Sequence, residues 1–326
     1  MRVGVKTLVG LIAAVNLSLP FHIAADEMDA VTLLTNMSSA MQTLNYEGTF
    51  IHTQNGHTEL MRILHSNSEH GEQERMTSLN GEAREVIRNN TLVTCIWPGS
   101  DDVVVNRSKP RKLIKPVDAA LANSDLYTVT LKGEDRVAGI ASDVVDVKPV
   151  DELRYGYRFW VDQESGMMLR SMVVDSNDRP LEELMFTDIA YLDSVDPARF
   201  EIDVDVDTTQ WIDSEAPALE TVEANIDKVR FDGLPQGFSE QSESYRMMAV
   251  QKDSPVSHVV ISDGLATLSV YVEYVDRAEH DPATLGATSM GALSAYGLSL
   301  PGALVTVVGE APKETVEVIA RATRIN

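Results

Sequence analysis

The sequence predicts a β-rich α+β chain in two units: one helix and a long run of antiparallel strands, then a small α+β unit. Three observations predict it. The apolar period switches from three and four residues to two at Tyr46. Turn dipeptides such as Asn55-Gly56, Asn80-Gly81, Pro98-Gly99 and Ser165-Gly166 then separate one short run from the next. An acidic seam at 182–220 holds twelve acidic residues and a single basic one, Arg199.

The N-terminus reads as a signal peptide over 1–25. Arg2 and Lys6 precede an apolar run from Thr7 to Leu19, Pro20 breaks it, and Ala24-Ala25 offers a cleavage site before Asp26. The run is short for a membrane span, which needs about 20 apolar residues. A soluble periplasmic product is therefore expected.

Residues 28–45 read as a helix, because Val31, Leu34, Met37, Met41 and Leu44 recur at helical steps. Alternating strands follow, among them Tyr46–Thr53 and Thr58–Ser66, joined at Asn55-Gly56. The series continues to Leu184–Leu192, with a short helix expected at Val117–Leu121. The first unit is assigned to 26–206 and an acidic linker to 207–221. Asp203, Asp205 and Asp207 alternate with valines, so part of the seam reads equally as an edge strand or as solvated chain. The second unit, 222–326, should hold strands at Val256–Ile261 and Leu265–Val275 joined at Asp263-Gly264. A helix of small residues is expected at 284–296, a strand at Ala303–Val308 and a helix at Thr315–Thr323.

Composition narrows the function. The formal charge is −23, and residues 1–25 carry two basic and no acidic residues, leaving 25 cations against 50 acids. That balance repels phosphate backbones, so no nucleic acid is expected as partner. The single cysteine, Cys95, reads as a small buried hydrophobe. No catalytic constellation emerges: Gly286–Gly291 is one residue too long for a nucleophile elbow. His52, His57, His65 and His70 lack the companion ligands of a zinc pattern, so neither metal nor cofactor is expected.

Two features suit binding. Arg107, Lys109, Arg111, Lys112 and Lys115 concentrate five cations in a proline-punctuated loop. They read either as a solvated loop or as a contact for an anionic headgroup or an acidic partner. Met61, Met76, Met167, Met168, Met172 and Met185 fall on predicted strands. They read either as ordinary core or as the adaptable lining of an apolar site, with Met61, Met76, Met167, Met172 and Met185 the lipid-binding candidates.

Several motifs carry a resemblance. Leu44-Asn-Tyr-Glu-Gly-Thr-Phe50, Arg84-Glu-Val-Ile-Arg88, Trp160-Val-Asp162, Ser262-Asp-Gly-Leu-Ala266, Ser269-Val-Tyr-Val-Glu273 and Val305-Thr-Val-Val-Gly-Glu310 resemble the MucB/RseB family in order and coverage. The segment Val229–Phe238 departs from the family's more aromatic pattern. The resemblance implies a LolA/LolB-like incomplete antiparallel β-barrel followed by a small α+β domain. It further implies a periplasmic negative regulator of a sigma-E/AlgU-type envelope-stress sigma factor. Such a regulator binds the periplasmic domain of a MucA/RseA-type anti-sigma factor and shields it from a DegS-type protease. Lipopolysaccharide or another mislocalised lipid releases it, and in mucoid relatives the output includes alginate synthesis. A homo-oligomer is a further possibility that the resemblance leaves open, and a lipid or lipoprotein carrier is the alternative function.

Overall fold

Asn55 and Gly56 both adopt positive φ, 50° and 76°, as a two-residue hairpin turn requires. They join β1 (Asn45–Gln54) to β2 (His57–Ser68), as the dipeptide predicts. In the computed structural model the residues described are 22–69, 71–90, 92–97, 102–107, 125–201, 210–213, 228–247, 255–274 and 286–325. Helix α1 (His22–Thr43) precedes the hairpin and begins earlier than its apolar spacing predicts.

The first sheet has twelve strands and stays open. After β1 and β2 come β3 (Gly71–Ser78), β4 (Glu85–Asn89), β5 (Leu92–Ile96) and β6 (Asp102–Arg107). A second set follows: β7 (Tyr127–Val137), β8 (Ile140–Pro149), β9 (Gly156–Asp162), β10 (Met168–Val174) and β11 (Pro180–Leu192). Each set is a meander of sequential antiparallel neighbours, and the two join where β11 pairs with β1. β12 (Gln210–Asp213), inside the acidic seam, lies parallel to β6 at one edge, while β7 forms the other.

The seam between the meanders explains part of the first motif. A β-carbon on Gly48 would stand 2.5 Å from the carbonyl oxygen of Asp188 on β11, so only glycine fits there. The register shifts by one residue just beyond, between Thr49 and Phe50. Leu34 and Met37 of α1 are buried in one core with Tyr46, Phe50, Met61, Phe159 and Phe186.

The second unit contains β13 (Val229–Phe231), β14 (Ser239–Met247), β15 (Pro255–Ser262) and β16 (Thr267–Tyr274). β17 (Gly286–Met290), β18 (Leu293–Leu300), β19 (Ala303–Glu310), α2 (Lys313–Ala322) and β20 (Thr323–Ile325) complete it. Six strands form a sheet in the order β14-β15-β16-β19-β18-β17, and β13 pairs with β20. Val316 and Ile319 of α2 pack with Val259, Ile261, Val305 and Val307.

A helix is expected at 284–296, but from Gly286 onward the described residues form the hairpin β17–β18 instead. Gly291 turns the chain with φ at 60°, and burial of Ser294 and Tyr296 follows the two-residue period of a strand. The small side chains suit close strand pairing as well as close helix packing, which is why composition misled.

Candidate functional site

Register decides which side chains share a face, because residues directly opposite on paired strands point the same way. Met61 lies opposite Phe50, Phe50 lies opposite Phe186, and Met76 lies opposite Ile63. These residues share the face on which α1 packs, with Phe50 and Phe186 rings 5.7 Å apart. Met185 precedes Phe186 and lies opposite Arg170, while Met172 lies opposite Arg158 and Glu183. Register therefore turns both toward the reverse face, although both, like Met76, also pack partly buried against the first unit's core. The structure thus divides the methionine candidates: Met61 and Met76 come together, Met172 and Met185 form a second pair, and Met167 and Met168 are completely buried.

A charged row closes one end of the α1-facing side. Arg88 is almost wholly buried and donates to Glu72 Oε1 at 3.2 Å and to Glu74 Oε2 at 2.5 Å. Burial alone would lower its pKa, but Glu74 and Glu72 outweigh that and raise it. His65 Nδ1 donates to the Leu44 carbonyl at 2.8 Å, and its ring stacks on Tyr46 with centroids 4.9 Å apart. Burial pushes the Tyr46 phenol far above its ordinary value, so it stays neutral.

The two units meet through a second polar centre. Arg154, just before β9, and Asp263, in the turn between β15 and β16, have side chains with no solvent exposure. Arg154 Nε donates to Asp263 Oδ2 at 2.5 Å, and its other nitrogens donate to Asp151 and to the carbonyl of Gln236. The Tyr127 hydroxyl also donates to Asp263 Oδ2, at 2.9 Å, and burial pushes that phenol far up. The other oxygen, Asp263 Oδ1, accepts the backbone N–H of Leu265 at 2.9 Å and of Ala266 at 2.7 Å. The Arg154 guanidinium lies 4.6 Å from the centroid of Phe238.

Apolar and backbone contacts extend this junction. Leu265 belongs to the second unit by sequence yet is buried in the core of the first. Thr315 Oγ1, at the start of α2, donates to the Leu153 carbonyl at 2.7 Å. Sequence reasoning missed the junction, although Ser262-Asp-Gly-Leu-Ala266 was one of the motifs carrying the resemblance.

Other predicted residues are dispersed. Arg107 ends β6, whereas Lys109, Arg111, Lys112, Lys115 and the helix expected at Val117–Leu121 lie outside the described residues. His52 Nε2 meets Glu182 Oε1 at 2.9 Å, and that hydrogen bond raises its pKa against partial burial. His70 lies outside the described residues. Burial raises the Cys95 thiol pKa, opposed by the nearby Arg84. Among the described residues no helix is long and apolar enough to cross a membrane.

An open, largely antiparallel sheet carrying one helix, docked through buried charge onto a second sheet, defines a two-unit β-rich protein. The MucB/RseB N-terminal domain matches residues 29–204 and the MucB/RseB C-terminal domain matches 224–324, so the chain belongs to the MucB/RseB family. It is 29% identical over 307 residues to the sigma factor AlgU regulatory protein MucB of Pseudomonas aeruginosa, covering 92% of each chain. It is 27% identical over 299 residues to the sigma-E factor regulatory protein RseB of Escherichia coli, covering 88% of each. Among solved structures, it resembles MucB in complex with MucA(peri), with TM-score 0.69 and 25% identity, over 91% of this chain and 99% of that one. The complex structure of Pseudomonas aeruginosa MucA/MucB gives TM-score 0.70 and 26% identity over the same shares.

Proposed function

We propose that this chain is a periplasmic negative regulator of envelope-stress sigma-factor signalling. A signal peptide at 1–25 exports it, and units 26–206 and 222–326, joined by the acidic stretch 207–221, bind the periplasmic domain of a MucA/RseA-type anti-sigma factor. Binding shields that domain from regulated proteolysis. The observation that carries this reading is the likeness, across both units, to MucB in its complexes with MucA.

Lipopolysaccharide or another mislocalised lipid is the proposed release signal. Met61 and Met76 beside Phe50 and Phe186, with the buried Met167 of the same core, would line its acyl chains, and Met172 and Met185 would serve the reverse face. Thioether chains adapt to irregular apolar shapes, which supports this choice. The cluster Arg107, Lys109, Arg111, Lys112 and Lys115 is the candidate for the phosphorylated headgroup. A lipid releases the partner only if it binds the free protein better than the bound form, and the effect must be reciprocal.

The test is affinity of the purified mature chain for the anti-sigma periplasmic domain, with and without saturating lipopolysaccharide. The reading expects a complex without lipid, protection of the bound domain from a DegS-type protease, and weaker binding with lipid. Absence of a complex overturns the regulatory role. Unchanged affinity overturns lipid release. Lipid transfer to an acceptor, without protein binding, would instead mark a carrier.

A further inference from the structure

The partners of Arg154 and Asp263 are divided between the two units. Asp263 takes two hydrogen bonds from its own turn and two from the first unit, Tyr127 and Arg154. Arg154 gives one contact to its own unit, at Asp151, and two to the second, at Asp263 and the Gln236 carbonyl. Neither side chain is satisfied unless the units are docked in this one orientation.

We propose that the Arg154–Asp263 pair is a latch that selects a single docked orientation of the two units, and that its opening is a discrete step. The argument rests on an asymmetry of buried ion pairs. Their mutual attraction is largely offset by desolvation, so removing both charges changes little, whereas removing one strands the other in a dry site. Such a pair contributes orientation more than affinity. When the units part, water rehydrates both groups and the cost of separation falls. An apolar interface of the same area would lack this specificity and would tolerate sliding.

The surroundings define a clean substitution scheme. Arg154→Met keeps an unbranched chain against Phe238 but leaves the Asp263 carboxylate buried without a cation. Asp263→Asn keeps an oxygen for the Leu265 and Ala266 amides and turns an amide toward the Tyr127 hydroxyl, which can accept. Asp151 is about one-third exposed and hydrates when Arg154 is gone. The double variant therefore buries no charge at the junction, and the Gln236 carbonyl loses its Arg154 donor in Arg154→Met and in the double variant alike, so comparing the two isolates the stranded carboxylate.

The experiment uses the full mature chain with Cys95→Ser and spin-labelled cysteines at the exposed positions Ala83 and Glu240, one in each unit. Electron–electron double resonance reads the distance distribution between them. The unsubstituted junction should give one narrow distribution. Arg154→Met should shift most of the population to longer, broader distances and lower the urea midpoint. Adding Asp263→Asn should raise the midpoint again while leaving the distribution broader than the original, because the charges that select the orientation are gone. If Arg154→Met does not fold, recovery of soluble protein on adding Asp263→Asn is the same rescue. An unaltered distribution in Arg154→Met, a double variant as narrow as the original, or a double variant with no recovery of the urea midpoint overturns the proposal. The readout involves neither lipid nor anti-sigma factor, so its failure is separate from failure of the regulatory role.

Discussion

A β-carbon on Gly237 would lie 2.2 Å from Cδ1 of Leu126, so at the second unit's turn any side chain must displace Leu126 at the start of β7. Gly237 also holds φ at 85°, a backbone region that penalises every residue with a β-carbon. Gly237→Ala should therefore cost about 2–4 kcal/mol, combining backbone strain with overpacking. Adding Leu126→Ala should recover the steric part and not the backbone part. Urea denaturation of the three proteins measures both, and full recovery would show that the backbone conformation is unstrained.

Leu265 gives a prediction that crosses the junction. It is 3% exposed and packs in the first unit's core, although it sits in the second unit's turn. Leu265→Ala should cost about 2–5 kcal/mol. The three tryptophans, Trp97, Trp160 and Trp211, all precede the second unit. Their fluorescence should report the loss as an earlier unfolding of the first unit. A shift confined to probes in the second unit would refute this packing.

Gly48 tests the join between the two meanders. Gly48→Ala places a methyl 2.5 Å from a backbone oxygen, which a side-chain rotation cannot relieve. The expected cost is about 1–3 kcal/mol, with amide hydrogen exchange accelerated along β1 and β11 in preference to β7 and β8. Uniform acceleration throughout the sheet would count against a local clash.

His52 sets a pH dependence. Its hydrogen bond to Glu182 raises the folded-state pKa above the ordinary value of about 6.5. A raised pKa means that folding favours the protonated ring. The contribution is complete below the unfolded pKa and disappears as pH rises through the folded one. The urea midpoint of the natural chain should exceed that of His52→Gln most below the unfolded pKa, with the excess shrinking as pH rises through the folded one. An excess that grows with pH would reverse the assignment.

Much of the fold was legible because it is local. Asn55-Gly56 specifies its own positive φ values, and Leu34 and Met37 mark the buried side of α1 by spacing alone. The β17–β18 hairpin was misread because Ala287, Ser289 and Ala295 permit close packing in either periodicity, and only pairing across Gly291 decides between them. The turn at Ala138-Gly139, with φ of 51° and 83°, carries no strong signature at its first position. The junction was illegible for another reason. Arg154 and Asp263 are 109 residues apart, and nothing in either local sequence distinguishes a buried pair from surface charge. The methionines were legible as strand residues, but their division between two faces depends on registers set by distant strands.

The β1–β11 pairing also governs the order in which the chain can mature. Asn45 pairs with Leu192, so the first and last strands of the two meanders are neighbours. As the polypeptide emerges from its N-terminus, β1 to β6 can assemble from local hairpins, while the outer side of β1 waits for β11. Pairings between distant residues form slowly, and an unpaired strand edge is a template for wrong partners. The vulnerable interval runs from the emergence of Arg107 to that of Leu192. A holdase that masks the free side of β1 would have its greatest effect on yield during that interval.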